Sequence, residues 1–171
     1  MALTVFEQTV PVMSHMLNNL SKILDKAAQH ASARKIEGKV FTQARLFPDM
    51  FDLARQIQIA TDTAKFAVAR LSGQEAPPWP DTETTFEELQ GRIKKAVDYL
   101  ARFKSDQFDG CEDRTIELKF PSMTLKFAGR DYLLFFVLPN FYFHLATTYN
   151  ILRHNGVEIG KRDFLGDTPQ R

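Results

Sequence analysis

FEQTVPVMSHMLNNLSKILDKAAQHA, residues 6–31, is the stretch that decides the fold. This spacing of its large apolar residues, in alternating steps of four and three, places them on one face of a long amphipathic α-helix. The residues on that face are Phe6, Val10, Met13, Leu17, Leu20, Leu24, Ala27 and Ala31. Pro11 has no N–H to donate to the preceding turn, so the helix either kinks there or begins near Thr9.

The same apolar spacing predicts a second and a third helix. It recurs over residues 50–71, after Asp49 as a candidate N-cap and before Gly73 as a C-terminal stop. Further on, Thr84 and Glu87 have the spacing of a capping box, which indicates the start of the third helix.

Two segments between the helices have a different pattern. Residues 32–47 lack a clean period, and we interpret them as a connector with a short extended piece at residues 39–41. Residues 116–120 and 123–127 alternate apolar and polar side chains, which is the period of a β-strand. The sequence therefore predicts a small β-hairpin after the third helix.

A fourth helix is predicted after the hairpin. Asp131 can cap it, and it extends to about Arg153, with a bend near Pro139 and a stop at Gly156. Residues 157–171 are interpreted as a polar C-terminal tail. The four helices must bury their apolar faces against one another, so the sequence predicts an all-α fold, an antiparallel four-helix bundle carrying the hairpin between helices 3 and 4. With 171 residues in total, we expect one domain.

Composition narrows the classes of partner. Lys and Arg together number 22 against 21 Asp and Glu, and a net charge of +1 provides no field that would attract nucleic acid or anionic lipid. The most apolar stretch, residues 132–146, is too short and too polar to cross a bilayer. Cys111 is the only cysteine, and the N-terminus lacks a signal-peptide pattern, so we predict a cytoplasmic protein.

His144 is the strongest candidate for a functional side chain. It lies in the most apolar part of the fourth helix, where an unpaired imidazole would be costly. Gln56, on the inner flank of the second helix, is expected to face it. His144 is interpreted as a core histidine bonded to a neighbouring helix, with metal ligation or acid–base catalysis as alternatives. Because the chain has no HExxH or Glu-x-x-His pair, we predict no metal and no cofactor.

Four motifs resemble a known family. They are RQIQIATDTAK at residues 55–65, PNFYFH at 139–144, ILRHNG at 151–156 and GKRDFLG at 160–166. On these motifs the chain resembles an uncharacterised bacterial family within the DinB/YfiT-like superfamily. The resemblance implies an up-down-down-up bundle that is often dimeric.

The resemblance also implies where a metal would lie. Metal-binding members of the superfamily, which include thiol-dependent transferases and isomerases, use one His from the second helix and two, four residues apart, from the fourth. Here Gln56 is the nearest polar substitute on the second helix, and His144 has Asn140 four residues before it and Thr148 four residues after it. At most one of the three histidines is therefore present.

Three functional hypotheses follow. The leading one is a small-ligand-binding bundle with a degenerate DinB-like site, whose polar pocket is lined by Gln56, His144, Thr148 and Tyr149. The first alternative is a metal- or thiol-dependent transferase or isomerase. The second is a structural homodimer, with aromatic side chains of the fourth helix at its interface. Whether the protein is an enzyme stays open.

Overall fold

A computed structural model describes residues 3–167, a mostly helical chain with one two-stranded antiparallel sheet. The helices, in chain order, are α1 (Val5–Ala33), α2 (Gly38–Thr42), α3 (Leu53–Ser72), α4 (Phe86–Leu100), α5 (Gly129–Asp131), α6 (Leu138–His154) and α7 (Lys161–Leu165). The strands are β1 (Thr115–Phe120) and β2 (Met123–Ala128). Single 3₁₀ turns lie at Ser105–Phe108 and Cys111–Asp113, and a π-helical segment, Tyr132–Val137, joins α5 to α6. Across residues 3–167, none of the helices combines the length and hydropathy that a bilayer crossing requires.

Helix α1 begins well before Thr9, one of the two alternatives for Pro11. Thr4 is its N-cap and forms a capping box with Glu7: the Thr4 hydroxyl accepts from the Glu7 amide at 3.2 Å, and the Glu7 carboxylate accepts from the Thr4 amide at 2.8 Å. Two satisfied backbone donors stabilise this first turn. The start near Thr9 is therefore wrong, and Pro11 lies inside the helix.

The connector after α1 contains a helix where an extended piece was expected. Residues 39–41 belong to α2, and Phe41 is buried between the rings of His30 and Phe86. Val40 and Phe41 have a preference for strands. Burial of the Phe41 ring outweighs it, because intrinsic propensity contributes less free energy than packing.

Two helix starts differ from the prediction by a few residues. Asp52 is the N-cap of α3 in place of Asp49, and its carboxylate accepts from the Arg55 amide at 2.9 Å. The capping box of α4 is Thr85 with Glu88, one residue later than expected. Gly73 ends α3 as predicted, in the left-handed conformation with φ of 75°.

The β-hairpin is confirmed. Its strands pair antiparallel, with Ile116 opposite Phe127 and Leu118 opposite Leu125. Ile116 and Leu118 are buried, so one face of the ribbon packs onto the helices while the other is exposed.

The fourth predicted helix is interrupted by a change of helix type. Six residues, Tyr132–Val137, are π-helical, and Pro139 follows in the first turn of α6. Proline has no N–H to bond residue 135 and its ring crowds that carbonyl, so an α-helical ladder would be broken there. Wider π-helical bonding just before it accommodates the proline.

Residues 157–167 are not a loosely attached polar tail. Val157 and Ile159 are buried, and α7 packs on α1. The side-chain amide of Asn19 donates to the carbonyl oxygens of Phe164 and Leu165, at 3.2 and 2.9 Å. The last four residues of the expected tail, 168–171, lie outside the described residues.

The long helices share one hydrophobic core. α3 packs against both α4 and α6, and α1 packs mainly against α4 and also against α3 and α6. The predicted apolar face of α1 enters this core, with Met13, Leu17, Leu24 and Ala27 fully buried.

Candidate ligand-binding groove

Gln56 and His144 are in direct contact between α3 and α6. The His144 ring is 6% exposed, and its Nδ1 lies 2.6 Å from Gln56 Oε1. The Gln56 Nε2 donates to the carbonyl oxygen of Phe51 at 3.1 Å, which turns the amide oxygen toward the imidazole. Nδ1 therefore carries the proton and donates it, and Nε2 is the unprotonated nitrogen that can accept a hydrogen bond.

The environment of His144 favours the neutral ring. Burial and, as the smaller cause, the positive charge of Arg55 together lower the pKa of His144 from 6.5 to about 4. Both effects disfavour the charged form. At neutral pH the imidazole is uncharged, so it can act as a hydrogen-bond acceptor.

Thr148 and Tyr149 are placed differently from this pair. The Thr148 hydroxyl donates to the carbonyl oxygen of His144 at 2.8 Å, within α6. Tyr149 is directed toward the C-terminal segment, where its hydroxyl donates to the Ile159 carbonyl at 3.4 Å and its ring packs against Phe164. The structure brings Gln56 and His144 together and leaves Tyr149 apart from them.

The positions that the resemblance assigns to metal ligands are used for contacts between helices. Asn140, one turn before His144, donates from its side-chain amide to the Thr63 hydroxyl at 2.9 Å. Within the described part of the chain, no three His, Cys, Asp or Glu side chains are grouped so that they could hold a metal ion.

A groove of about 390 Å³ lies along α3, next to the His144 contact. We call it the α3 groove. Its lining combines aromatic rings, one amide and several charges. The lining residues are Arg55, Ile59, Asp62, Thr63, Phe66 and Arg70 of α3, Leu118, Lys119 and Phe120 of β1, Tyr132 and Phe136 of the π-helical segment, and Asn140 of α6. None of the four predicted pocket residues is among them, although His144 lies one helical turn beyond Asn140.

Three polar links join α3 to the last helical run at regular intervals. They are Gln56 with His144, Thr63 with Asn140, and Arg70 with Tyr132, the last a 2.9 Å hydrogen bond from the guanidinium to the phenol. On α3 the partners are spaced by seven residues, which is two helical turns, so they occupy one side of the helix. The second and third links line the groove, and the first lies beyond its Asn140 end.

Comparison with known proteins places the chain in a family. A family described as "Domain of unknown function (DUF1993)" matches residues 5–165. The chain belongs to the DUF1993 family. A DinB family member protein from Shewanella denitrificans, known from its crystal structure, is 43% identical; the similarity covers 98% of the DUF1993 chain and 94% of the other, with a TM-score of 0.90. The resemblance to an uncharacterised family within the DinB-like superfamily is thus confirmed. A search of curated proteins finds no match.

A buried ion network borders the groove in this DUF1993 chain. Arg92 of α4 is 3% exposed and bonds Asp62 at 2.9 Å, Asp81 at 3.0 Å and Glu83 at 3.1 Å. Lys65, also buried, pairs with Asp62 at 2.8 Å. These carboxylates belong to α3 and to the linker before α4, so the network fixes that linker against both helices.

Sequence reasoning missed most residues of the groove. The usable signal was the seven-residue spacing of Gln56, Thr63 and Arg70, each lying one residue before a position on the apolar face of α3. The sequence alone does not distinguish Asp62 from a surface carboxylate, because its buried partner Arg92 comes from another helix. Periodicity within one helix locates a face and leaves the opposing side chains undetermined.

Cys111 is not poised for reaction. The thiol is buried in the 3₁₀ turn before the hairpin, and burial, followed by the nearby charge of Glu112, raises its pKa to about 11. A thiolate is therefore disfavoured at neutral pH.

Proposed function

We propose that the protein binds a small ligand in the α3 groove. The observation that carries the proposal is the groove itself, about 390 Å³, in which the aromatic rings of Phe66 and Phe136 meet the polar groups of Arg55, Arg70 and Asn140. Ligand pockets in proteins combine an apolar lining with a few convergent polar groups in this way. The π-helical segment at one wall supports the assignment, because π-helical turns are frequent at functional sites.

His144 and Gln56 extend the proposed site beyond Asn140. The neutral imidazole offers Nε2 as an acceptor, and the Gln56 amide holds the ring in that tautomer. A ligand that reaches past Asn140 would therefore meet a hydrogen-bond acceptor of fixed orientation. The participation of Thr148 and Tyr149 in the site stays a prediction.

Thermal-shift screening against small polar and aromatic compounds tests the proposal. Compounds that bind the folded protein raise its Tm, by an amount that increases with the ratio of free ligand concentration to Kd. Ile59→Trp places an indole in the groove, so it should abolish those shifts. Val97→Trp, at a half-buried position of α4 outside the groove, is the matched control and should retain them. A wild-type protein whose Tm no compound changes, or equal shifts in Ile59→Trp, would refute the proposal.

A homodimer is the second candidate, supported by exposed aromatic side chains on the last helical run. Phe135 is 74% exposed and Phe143 is 56% exposed, eight residues further along. Aromatic side chains are enriched at protein–protein interfaces relative to the rest of the protein surface. Light scattering of wild type and Phe135→Ser tests it: a wild-type dimer should dissociate in the variant with its helical circular dichroism retained. A monomer at all concentrations would rule the dimer out.

We also infer an up-down-down-up arrangement of α1, α3, α4 and α6. The packing of α3 against both α4 and α6, and of α1 mainly against α4, supports this order. A cytoplasmic location remains part of the proposal, supported by a single cysteine that is buried as a thiol.

A further inference from the structure

The charges that line the α3 groove are paired, with two exceptions, the half-buried Arg70 and the exposed Lys119. Arg55 forms an ion pair with Asp81, and Asp62 is shared by Arg92 and Lys65. Among residues 3–167, no carboxylate pairs with the guanidinium of Arg70. Among the described residues, the groove therefore contains two positive charges without a protein counter-ion, and of these Arg70 is the half-buried one that lies next to the aromatic rings.

Aromatic rings hold Arg70 in place. Its guanidinium carbon lies 4.6 Å from the centroid of the Phe66 ring and 5.8 Å from that of Tyr132, and one N–H donates to the Tyr132 hydroxyl at 2.9 Å. Burial raises the pKa of Tyr132, so the phenol is neutral and supplies no compensating charge. Stacked and bonded at one corner, the guanidinium keeps further N–H donors for a planar anion.

The apolar groups next to Arg70 define the rest of the ligand. Phe66 and Phe136 line the same cavity, and Phe136 stacks on Tyr132 with ring centroids 5.8 Å apart and an angle of 18°. These rings present faces and edges on which a flat or branched apolar body can pack. The charge of Asp62 in the same groove is compensated by Arg92 and Lys65, so Arg70 and Lys119 supply the positive charge that an anionic group of the ligand would meet.

We propose that the ligand of the α3 groove is a small carboxylic acid with an aromatic or branched apolar body, whose carboxylate pairs with the Arg70 guanidinium while its body lies against Phe66 and Phe136. This inference rests on the proposed function and specifies its ligand class. Arg–carboxylate pairs are frequently bidentate, which makes the recognition of a carboxylate sensitive to geometry as well as charge.

Calorimetric titration with three probes of similar size tests the ligand class: phenylacetate, its neutral amide phenylacetamide, and phenyl phosphate. Wild type should bind phenylacetate about tenfold or more tightly than phenylacetamide, because a charge-assisted hydrogen bond separates them. It should bind phenyl phosphate more weakly than phenylacetate. Arg70→Gln should lose the preference for the acid over the amide. Arg34→Gln, an exposed arginine at the end of α1, is the matched control and should keep it.

The outcomes separate this inference from the proposed function. Equal binding of acid and amide, tighter binding of the phosphate, or an undiminished acid preference in Arg70→Gln would each overturn the carboxylic acid and leave groove binding intact. Absence of binding by all three probes would overturn the carboxylic acid, while the wider screen with Ile59→Trp still decides the groove. Arg70→Lys guards against misfolding of Arg70→Gln: it keeps the charge and loses the planar fork, so phenylacetate affinity should fall while an acid preference persists.

Discussion

Protonation of one imidazole links the candidate site to the stability of the fold. A histidine in the unfolded chain has a pKa of 6.5, whereas the pKa of His144 in the folded protein is about 4. Between these values the unfolded chain binds more protons than the folded one, so the free energy of unfolding falls as the pH falls through this window. Relative to His144→Gln, wild type should lose about 3 kcal/mol between pH 7 and pH 4. Urea denaturation of both proteins at several pH values measures it.

A substitution of Gln56, which faces the imidazole, tests the contact between the two side chains through the pKa of His144. Gln56→Glu places a carboxylate where the amide oxygen lies 2.6 Å from Nδ1, and an adjacent negative charge favours the imidazolium. The pKa of His144, followed by NMR, should therefore rise above its wild-type value. Gln29→Glu, at an exposed position of α1, should leave it unchanged. A pKa near 6.5 in wild type, or one unaffected by Gln56→Glu, would contradict the contact.

How much of the site the sequence can predict depends on which interactions are local. The helical period places Gln56 and His144 on inner faces of their helices, and the structure joins them. Arg70 escapes the same reasoning, because a lone arginine near the end of a helix is typical of a solvated, favourably placed cation. Its role depends on Phe66 on its own helix and Tyr132 far along the chain, and the second contact is invisible to any local pattern.

At the level of elements, a strong apolar period was sufficient to predict the type of secondary structure, whereas segments with a weak period were predicted wrongly. The apolar face of α1 and the alternation of the hairpin each required one type of structure. Phe41 in α2 has no periodic neighbours, and its burial against Phe86 of α4 is a contact that the local sequence does not reveal. The π-helical segment could not be predicted either. Pro139 indicates that the backbone hydrogen bonds of an α-helix are interrupted, but either a kink or a π-helical turn can accommodate the proline.

Two glycines in helices should respond oppositely to the same substitution. A Cβ at Gly129, the first residue of α5, would lie 1.9 Å from the carbonyl oxygen of Cys111, so Gly129→Ala must displace backbone. We expect it to lower the free energy of unfolding by at least about 2 kcal/mol. A Cβ at Gly91, within α4, meets nothing within 4 Å, so Gly91→Ala should raise it by about 0.5–1 kcal/mol. Denaturant unfolding of both variants measures the two changes, and a shared sign would contradict this account.

Arg92 should be the critical residue of the junction between α4 and the preceding linker. Its guanidinium bonds three carboxylates and the Thr61 hydroxyl, the last at 3.1 Å. Arg92→Leu leaves Glu83 without this partner and weakens the compensation of Asp62 and Asp81. Removing one partner of a buried ion network costs about 3–5 kcal/mol, which we expect in urea denaturation.

An exposed ion pair on the same helix is the matched control for Arg92. Lys94 and Asp98 lie 2.6 Å apart, with more than half of each side chain exposed. Lys94→Leu should change the free energy of unfolding by less than about 1 kcal/mol, because water screens the pair. If Arg92→Leu and Lys94→Leu lowered the free energy of unfolding by similar amounts, burial would not explain the contribution of the Arg92 network to stability.

On the scale of the whole molecule, the C-terminal segment determines where the cooperative unit ends. Residues 157–167 contain many polar side chains, which is why the sequence suggested a tail. Specific contacts attach them to the helices, among them two buried apolar residues, the Asn19 hydrogen bonds, the packing of Tyr149 on Phe164, and an ion pair of 2.6 Å between Lys26 and Asp163. Composition averages over such a segment and hides the few positions that bind it to α1.

The segment's part in the core predicts a large effect at one of its positions. Ile159 is 5% exposed, and replacing a buried isoleucine by alanine costs about 2–5 kcal/mol when the site cannot collapse. Ile159→Ala should therefore lower the free energy of unfolding by that amount, in a single urea transition. Glu158→Ala, at the exposed neighbouring position, should change it by less than about 0.5 kcal/mol. If Ile159→Ala were as mild as Glu158→Ala, or if its unfolding separated into two transitions, residues 157–167 would lie outside the cooperative unit.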